Sequence, residues 1–352
     1  MEEAGFDVRP TESMLMVQQL ARAFAEKELR PRVMKYDESQ EFPFETASKL
    51  GELGFLGATV PEEFSGAGLS PLDFTVLVEE ISKVDPSVGL SVCAHNGLCV
   101  SHIFLFGSEF QKKKYLPDLC SGKKLGGWGL TESSSGSDSG GMKTTAVKEG
   151  NGWVINGSKT FITHGSVGGT FVVLAVTDTS KPHGISAFIL EKGMPGFAAG
   201  KKENKLGMRA SDTTSLIFDN VRVPAENLVG GEGEGFKQAL QVLDGGRIGI
   251  AALSVGLAQG ALDASVKYAK ERHQFGKALS DFQAIQFKLA DMCVKIDAAR
   301  LLILRAARAK DNHESYIKEA AMAKLFASTI AMESSGVFTG ARPNMSASVN
   351  IE

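Results

Sequence analysis

The sequence predicts an α+β protein of three domains: an N-terminal all-α domain (residues 1–122), a middle antiparallel β-barrel (123–233) and a C-terminal α-helical bundle (234–352). Three observations predict this organisation. Apolar residues follow helical periodicity in the first third, short β-branched runs fill the middle, and helical stripes return after the segment VGGEGEGF. A chain of 352 residues, 43% of them hydrophobic, is long enough for two or three domains.

Helical periodicity and capping residues predict several helices in the first domain. Residues 13–29 have helical periodicity. Ser70 is placed as an N-cap, with Pro71 at the first helical position and Asp73 in the first turn. The segment SEFQ (108–111) is a capping box, which predicts a further helix after it.

The middle domain is predicted from six short runs: KTTAVKE, GWVIN, SKTFIT, TFVVLAVTD, HGISAFILEK and TSLIFDNVRVP. Gly, Asn and Pro separate them, and the Asn-Gly pairs at 151–152 and 156–157 predict hairpin turns. Strands at this spacing indicate a compact antiparallel sandwich or barrel.

Composition narrows the function class. The net charge is −3 with no basic cluster, which argues against nucleic-acid partners and a polybasic membrane surface. We expect no membrane-spanning helix, because no apolar run approaches the length needed to span a bilayer, and the start lacks a signal-peptide core. We expect a cytoplasmic protein, or a mitochondrial matrix protein if a eukaryotic presequence has been removed. Neither the six histidines nor the four cysteines have metal-ligand spacing, so no metal is expected.

Two glycine-containing loops are candidate ligand sites. VGGEGEGF (229–236) lacks the Lys-Ser/Thr of a P-loop, and Glu232 and Glu234 would repel phosphate, so a domain connector is favoured. The stretch from Thr131 to Ser139 carries six hydroxyl side chains and no aliphatic residue. Hydroxyl groups donate and accept, which suits the edge of a planar heterocycle. A solvated surface turn is the alternative.

Two arginines are further candidates for ligand binding because of the sequence around them. Arg272 lies at a predicted helix junction, where it is either solvated or available to a diphosphate. Asp244 and Arg247 lie three residues apart in LDGGRIGIAA (243–252), a spacing that also suits an ordinary ion pair. Two glycines inside this helix indicate close approach of a ligand or another backbone.

Ordered motifs over about residues 10–333 resemble the acyl-CoA dehydrogenase family. They are GLTESSSGSD, FIT (161–163), KLGMRASDT, FDNVRVPAENLVG, LDGGRIGIAA and RHQFGKALSDFQAIQFKLADM. LDGGRIGIAA is most similar to the short-chain, butyryl-CoA type. Ser133, Phe161 and His164 depart from the family's usual Pro, Trp and Asn.

The resemblance implies FAD as cofactor and assigns the site residues. Thr131 would lie near the flavin N5 edge, Ser137 near both cofactor and substrate, and Phe161–Thr163 on the other side of the ring. Asp244 and Arg247 would contact the CoA portion of the substrate. The full implied cofactor set is Trp128, Leu130, Thr131, Gly136, Ser137, Phe161, Ile162, Thr163 and, on the FAD of a neighbouring subunit, Arg272, Gln274, Phe282 and Gln283.

The implied reaction is α,β-dehydrogenation of a short- to medium-chain acyl-CoA to the trans-2-enoyl-CoA. A carboxylate would remove the pro-R α-proton while the β-hydrogen leaves as hydride to flavin N5. Hydrogen bonds to the thioester carbonyl would stabilise the developing enolate. An electron-transferring flavoprotein is the implied acceptor, although oxidase relatives use oxygen, and a homotetramer is the implied assembly.

The end of the chain departs from the family pattern after Glu333. The family continues with a Q-x-x-G-G-x-G segment and two helices, between which short-chain members carry the catalytic Glu. The final residues predict an irregular tail, so we expect an incomplete bundle, exposed apolar surface on the helices at 283–310 and 315–335, and impaired dehydrogenation. Gly246 occupies the alternative base position of some relatives and cannot abstract a proton; Glu352 has no structured context. A non-catalytic flavin- or acyl-CoA-binding protein, or a truncated form of an active enzyme, is the alternative.

Overall fold

The computed structural model describes residues 9–341, with side chains through Val337. Helices occupy the first and last parts of this range and strands its middle. The helices are α1 (Glu12–Phe24), α2 (Val33–Ser39), α3 (Phe44–Glu52), α4 (Pro71–Val84), α5 (Pro86–Ala94), α6 (Ser101–Phe106), α7 (Glu109–Cys120), α8 (Gly235–Glu271), α9 (Gln283–Asp311) and α10 (Ile317–Ala341).

Side-chain caps begin the two helices for which the sequence predicted them. The Ser70 hydroxyl accepts from Asp73 N–H at 3.1 Å, and the Asp73 carboxylate accepts from Ser70 N–H in return. Ser108 and Gln111 form the same reciprocal pair at the start of α7. Each cap satisfies backbone donors that have no intrahelical partner. Both predicted caps are confirmed.

The middle part is one mixed sheet rather than a closed barrel. Its order is β6-β7-β3-β2-β4-β5-β8, with β1 added in parallel to β4. Within the described residues the edge strands β6 and β8 do not pair, so the predicted closed barrel is wrong. The strands are β1 (Gly126–Gly129), β2 (Thr145–Glu149), β3 (Gly152–Thr163), β4 (Thr170–Asp178), β5 (Gly184–Glu191), β6 (Phe197–Lys202), β7 (Thr213–Pro224) and β8 (Leu228–Val229), with a separate hairpin of β9 (His273–Gln274) and β10 (Lys277–Ala278).

The second predicted hairpin turn, at Asn156–Gly157, is a bulge inside β3. The pairing of β3 with β7 shifts register between Ile155 and Gly157, and the strand continues to Thr163. Gly157 has φ of 141°, and a Cβ there would lie 2.6 Å from Thr144 Oγ1. Glycine therefore permits a tight bulge here, and the strand bends without ending.

Helix α8 connects the helical parts. It packs on α4, α5, α9 and α10, and its glycines allow the closest approach: a Cβ on Gly256 would lie 2.4 Å from Glu79 O in α4. The sequence expectation of no span-length apolar run needs correction. Two helical stretches, Pro86–Phe106 and Gly235–Glu271, are long and apolar enough by composition to cross a bilayer, although their apolar windows are 67% and 72% buried within the protein.

The outer faces of α9 and α10 carry exposed apolar side chains, as expected from the sequence. Phe287, Val294 and Leu325 are each more than two-thirds exposed. The inner faces, by contrast, contribute Ile296, Ile303 and other residues to the main helical core.

Replacing Gly256 by alanine is expected to lower the free energy of unfolding by about 2 kcal/mol, because α8 and α4 must move apart to admit the methyl group. Urea unfolding measures the change. The control is Gly336→Ala in α10, where an added Cβ meets no atom within 4 Å. The control is expected to raise the free energy of unfolding by about 1 kcal/mol through helix propensity. Equal stability of the two variants would contradict the close packing of α8 on α4.

Candidate active site

The hydroxyl-rich loop and the end of β3 both line one cavity of about 510 Å³. This juxtaposition follows from the sheet: β1 leads into the loop, and the Thr160 N–H donates to Thr131 O at 2.9 Å. Eight residues assigned from the family resemblance line the cavity: Trp128, Leu130, Thr131, Gly136, Ser137, Phe161, Ile162 and Thr163.

Phe161 is in a strained conformation at this cavity. Its φ is 58°, in the left-handed region that bulky residues rarely adopt. Its ring is nevertheless 67% exposed, so core packing does not explain the conformation. Phe161 lies at the second register shift between β3 and β7, between Lys159 and Ile162, and this bulge turns its side chain toward the cavity.

Helices close the other side of the cavity. Arg247 comes from α8, as assigned from the resemblance, and its guanidinium pairs with the Asp244 carboxylate one turn earlier. Ser139, at the end of the predicted hydroxyl-rich loop, also lines the cavity, whereas sequence reasoning missed five lining residues: Ala94, Leu98, Gly126, Leu240 and Leu243. Most are small or apolar, and nothing in the local pattern distinguishes them from core positions.

A buried ion pair lies directly behind the loop. Lys159, fully buried in β3, donates to Glu132 Oε1 at 2.8 Å and to Leu130 O at 3.0 Å. Glu132 also accepts from the N–H groups of Lys143 and Thr144. Burial lowers the pKa of Lys159 to about 8 although Glu132 opposes the change. For Glu132, burial raises the pKa, but the hydrogen bonds from Lys159 and the backbone outweigh it, and the pKa lies below its usual value.

Buried histidines support the start of β1. Gly126 N–H donates to His95 Nδ1 at 2.9 Å, and His164 Nδ1 lies 3.0 Å from Gly126 O. Burial and the neighbouring His164 lower the pKa of His95 to about 3. Burial also lowers the pKa of His164, which has φ of 60° and whose Nε2 has no hydrogen-bond partner.

A different histidine, His102, holds Trp128 in place. Its Nε1–H donates to His102 Nδ1 at 3.0 Å, so the other ring nitrogen carries the proton and donates to Gln238 Oε1 at 3.1 Å. Burial lowers the pKa of His102 to about 4, which keeps it neutral and able to accept. The indole is thereby held in one orientation at the cavity wall.

A second cavity, of about 530 Å³, also lies along α8, and Gly97 and Gly246 are among its lining residues. Phe74, Cys93 and Ile248 give it an apolar wall. A Cβ on Gly246 would meet nothing nearer than 3.8 Å, so the α8 surface is open there. No carboxylate from the described residues lines the first cavity, whereas Asp311 and Glu314 line the second.

The remaining assigned residues do not reach this cavity. Arg272 lies at the C-terminal end of α8, Gln274 in the β9–β10 hairpin, and Phe282 and Gln283 at the start of α9. They form a separate, largely exposed group, in which Phe275 is 95% exposed.

The first cavity fits a flavin ring. Hydroxyl groups of Thr131, Ser137 and Thr163 supply donors and acceptors at its rim, and aromatic rings flank them. Among the described residues, no group of three or more His, Cys, Asp or Glu side chains is arranged to hold a metal ion. The donor set therefore suits an uncharged heterocycle.

Family models match the chain in three parts. The acyl-CoA dehydrogenase N-terminal domain matches residues 11–123, the middle domain 127–221 and the C-terminal domain 233–336. The short-chain specific acyl-CoA dehydrogenase of Clostridium acetobutylicum is 48% identical over 93% of this chain and 86% of its own length.

Solved structures agree. The butyryl-CoA dehydrogenase of Megasphaera elsdenii is 43% identical, with a TM-score of 0.94 over 99% of this chain and 92% of its own. A chain in a structure of the electron transferring flavoprotein of Acidaminococcus fermentans is 49% identical, with a TM-score of 0.95 over 98% of this chain and 91% of its own.

These matches correct the expectation of an incomplete C-terminal bundle. The C-terminal domain model is matched, so a missing segment is not supported, nor is the impairment inferred from it. The exposed faces of α9 and α10 therefore need another explanation. The predicted irregular tail and Glu352 lie outside the described residues.

Replacing His164 by Asn is expected to make stability less dependent on pH. The pKa of buried His164 is lowered in the folded protein, so the unfolded chain binds more protons below about pH 6.5, and stability falls as the pH drops from there. Asn does not titrate, tolerates positive φ and can donate to Gly126 O. Unfolding free energies between pH 4 and 7 measure the slope.

The matched control is His313→Asn, since His313 also has positive φ but is exposed. Its slope is expected to equal that of the unmodified protein. An unchanged slope in His164→Asn would show that the buried imidazole does not contribute.

Proposed function

The chain belongs to the acyl-CoA dehydrogenase family, and we propose that it oxidises a short- to medium-chain acyl-CoA to the trans-2-enoyl-CoA with bound FAD. The observation that carries the proposal is the cavity in which eight assigned flavin residues converge. Similarity to short-chain and butyryl-CoA dehydrogenases supports the substrate class.

The residues of this cavity would hold and shield the flavin ring. Thr131 and Thr163 would present hydroxyl groups to the ring, and Phe161 would cover one of its faces. When bound, FAD supplies a hydride acceptor for the β-hydrogen of the acyl thioester. Trp128 and Leu130 exclude water from the buried side, which strengthens polar interactions with the substrate carbonyl.

The substrate would enter along α8. Arg247 offers a fixed guanidinium, oriented by Asp244, to the CoA portion. The apolar second cavity beyond Gly97 and Gly246 would take the acyl chain. No carboxylate among the described residues lines the flavin cavity.

Two partners belong to the proposal. The acceptor is an electron-transferring flavoprotein, in keeping with the similarity to a chain from the Acidaminococcus fermentans structure. The assembly is a homotetramer, in which Arg272, Gln274, Phe282 and Gln283 contact the FAD of a neighbouring subunit. Their exposure and their distance from the chain's own cavity support this arrangement.

Anaerobic addition of butyryl-CoA to the purified, FAD-loaded protein tests the function. Bleaching of the flavin absorbance is expected, because hydride transfer reduces the ring. A spectral shift without bleaching would instead indicate a flavin and acyl-CoA-binding protein without dehydrogenase activity. A protein that neither contains flavin nor takes up added FAD would contradict the cofactor as well.

Replacing Arg272 by alanine is expected to weaken FAD binding by about 2 kcal/mol, the scale of a charge-assisted hydrogen bond. Flavin titration, with the oligomeric state followed by light scattering, measures the effect. Lys270→Ala is the control, since Lys270 is exposed in the same last turn of α8. Equal FAD affinity in the two variants would contradict the contact across subunits.

A further inference from the structure

The two walls of the flavin cavity share one buried charged side chain. Lys159 precedes Phe161 by two residues in β3, yet its side chain points to the interior and is fully buried. Its ammonium donates to Leu130 O at 3.0 Å and Glu132 Oε1 at 2.8 Å, on both sides of Thr131. The residue therefore connects the strand of one wall to the loop of the other.

Glu132 extends this connection to a third segment. Its carboxylate accepts from Lys143 N–H at 2.7 Å and Thr144 N–H at 3.0 Å, just before β2. The main chain of Glu132 also forms two hydrogen bonds with Ser135, which close the turn that immediately precedes Gly136 and Ser137. Removing the Lys159 charge would leave this carboxylate buried with backbone donors alone, which is costly.

We propose that Lys159 is a positioning residue for the flavin, whose buried ammonium fixes the Leu130–Glu132 loop against β3 and so sets the distance between Thr131 and Phe161. The inference rests on the flavin cavity described above. A core hydrocarbon at position 159 would fill the same volume but would not hold Leu130 O or Glu132.

The charge state of Lys159 makes this role measurable. Burial lowers its pKa to about 8, and Glu132 is the one charged group that the structure sets against it among the described residues. Its other neighbours are the Met142 sulfur, Gly129 and the backbone of β3, and none of these groups titrates. The lysine is charged below about pH 8 and neutral above it, so the loop loses its anchor as the pH rises.

The experiment measures the FAD dissociation constant of the full-length protein from pH 6.5 to 9.5. For the unmodified protein, the constant is expected to rise above about pH 8 by up to about tenfold for each pH unit, as linkage requires when one proton must be bound. Lys159→Arg remains charged throughout this range and is expected to show no such rise. Titration of FAD itself affects both proteins equally.

Two further variants keep the test decisive. The double variant Glu132→Gln with Lys159→Met removes both charges at near-constant volume; it is expected to bind FAD at least tenfold more weakly at pH 7 and without the rise above pH 8. Lys148→Met is the control, because Lys148 forms an exposed ion pair with Glu232 elsewhere in the sheet. It is expected to match the unmodified protein at every pH.

The outcomes separate the inference from the proposed function. Identical pH profiles for the unmodified protein and Lys159→Arg would overturn the role of Lys159. So would an unchanged pH dependence in the double variant, which decides the matter if the arginine variant does not fold. No FAD binding by the unmodified protein at any pH would instead refute the flavin cavity.

Discussion

The candidate site depends on the burial of one ammonium group beneath the hydroxyl-rich loop. A serine-rich loop at a sheet edge has few apolar contacts of its own, and such loops are ordinarily mobile. Here Lys159 and Glu132 supply the missing constraint from inside the sheet. Desolvating two charges is costly, and the additional backbone hydrogen bonds to Glu132 offset part of that cost. The main effect of this ion pair is therefore to fix the geometry of the flavin cavity, and its contribution to the free energy of unfolding is the lesser effect.

Close helix packing provides the second constraint. Glycines along α8 let it approach α4 at one point and the segment around Gly97 at another. At Gly256 the space is filled by backbone, whereas at Gly246, which lines the second cavity, it stays open. The same residue type thus serves packing at one position and access at the other. Both glycines lower the helix propensity of α8. At Gly256, close packing on α4 offsets this cost, whereas at Gly246 the cost remains and the open surface is left for the proposed substrate path.

The sequence predicted the parts of this molecule that depend on local patterns. Caps at Ser70 and Ser108 were predictable because a cap is a short-range hydrogen bond between residues three apart. The Asn156–Gly157 pair was misinterpreted because the same dipeptide suits a turn or a bulge, and only pairing with β7 decides between them. The barrel was wrong for the same reason: closure depends on whether β6 and β8 meet, which no local pattern records.

The flavin residues on the loop and on β3 could be assigned only through ordered motifs, whereas Leu98, Leu240 and Leu243 could not be assigned at all. In the sequence, these leucines look like ordinary apolar residues of a helix. Only the packing of α5, α8 and β1 against one another brings them to the cavity. Lys159 was missed for a different reason, since lysine in a strand normally lies at the surface.

In the proposed assembly, the exposed residues around Arg272 make cofactor binding and subunit association depend on each other. Each chain supplies the ring-binding cavity at one place and, on the proposed assembly, contacts for another chain's FAD at the β9–β10 hairpin. A ligand that binds residues of two chains stabilises the assembled form by mass action, and assembly in turn raises the apparent affinity for the ligand. Phe275 and Arg272 contribute nothing to their own subunit's core, and in the proposed assembly association with bound FAD would cover them. Cofactor binding and association are then one coupled equilibrium, and neither affinity is a property of the single chain.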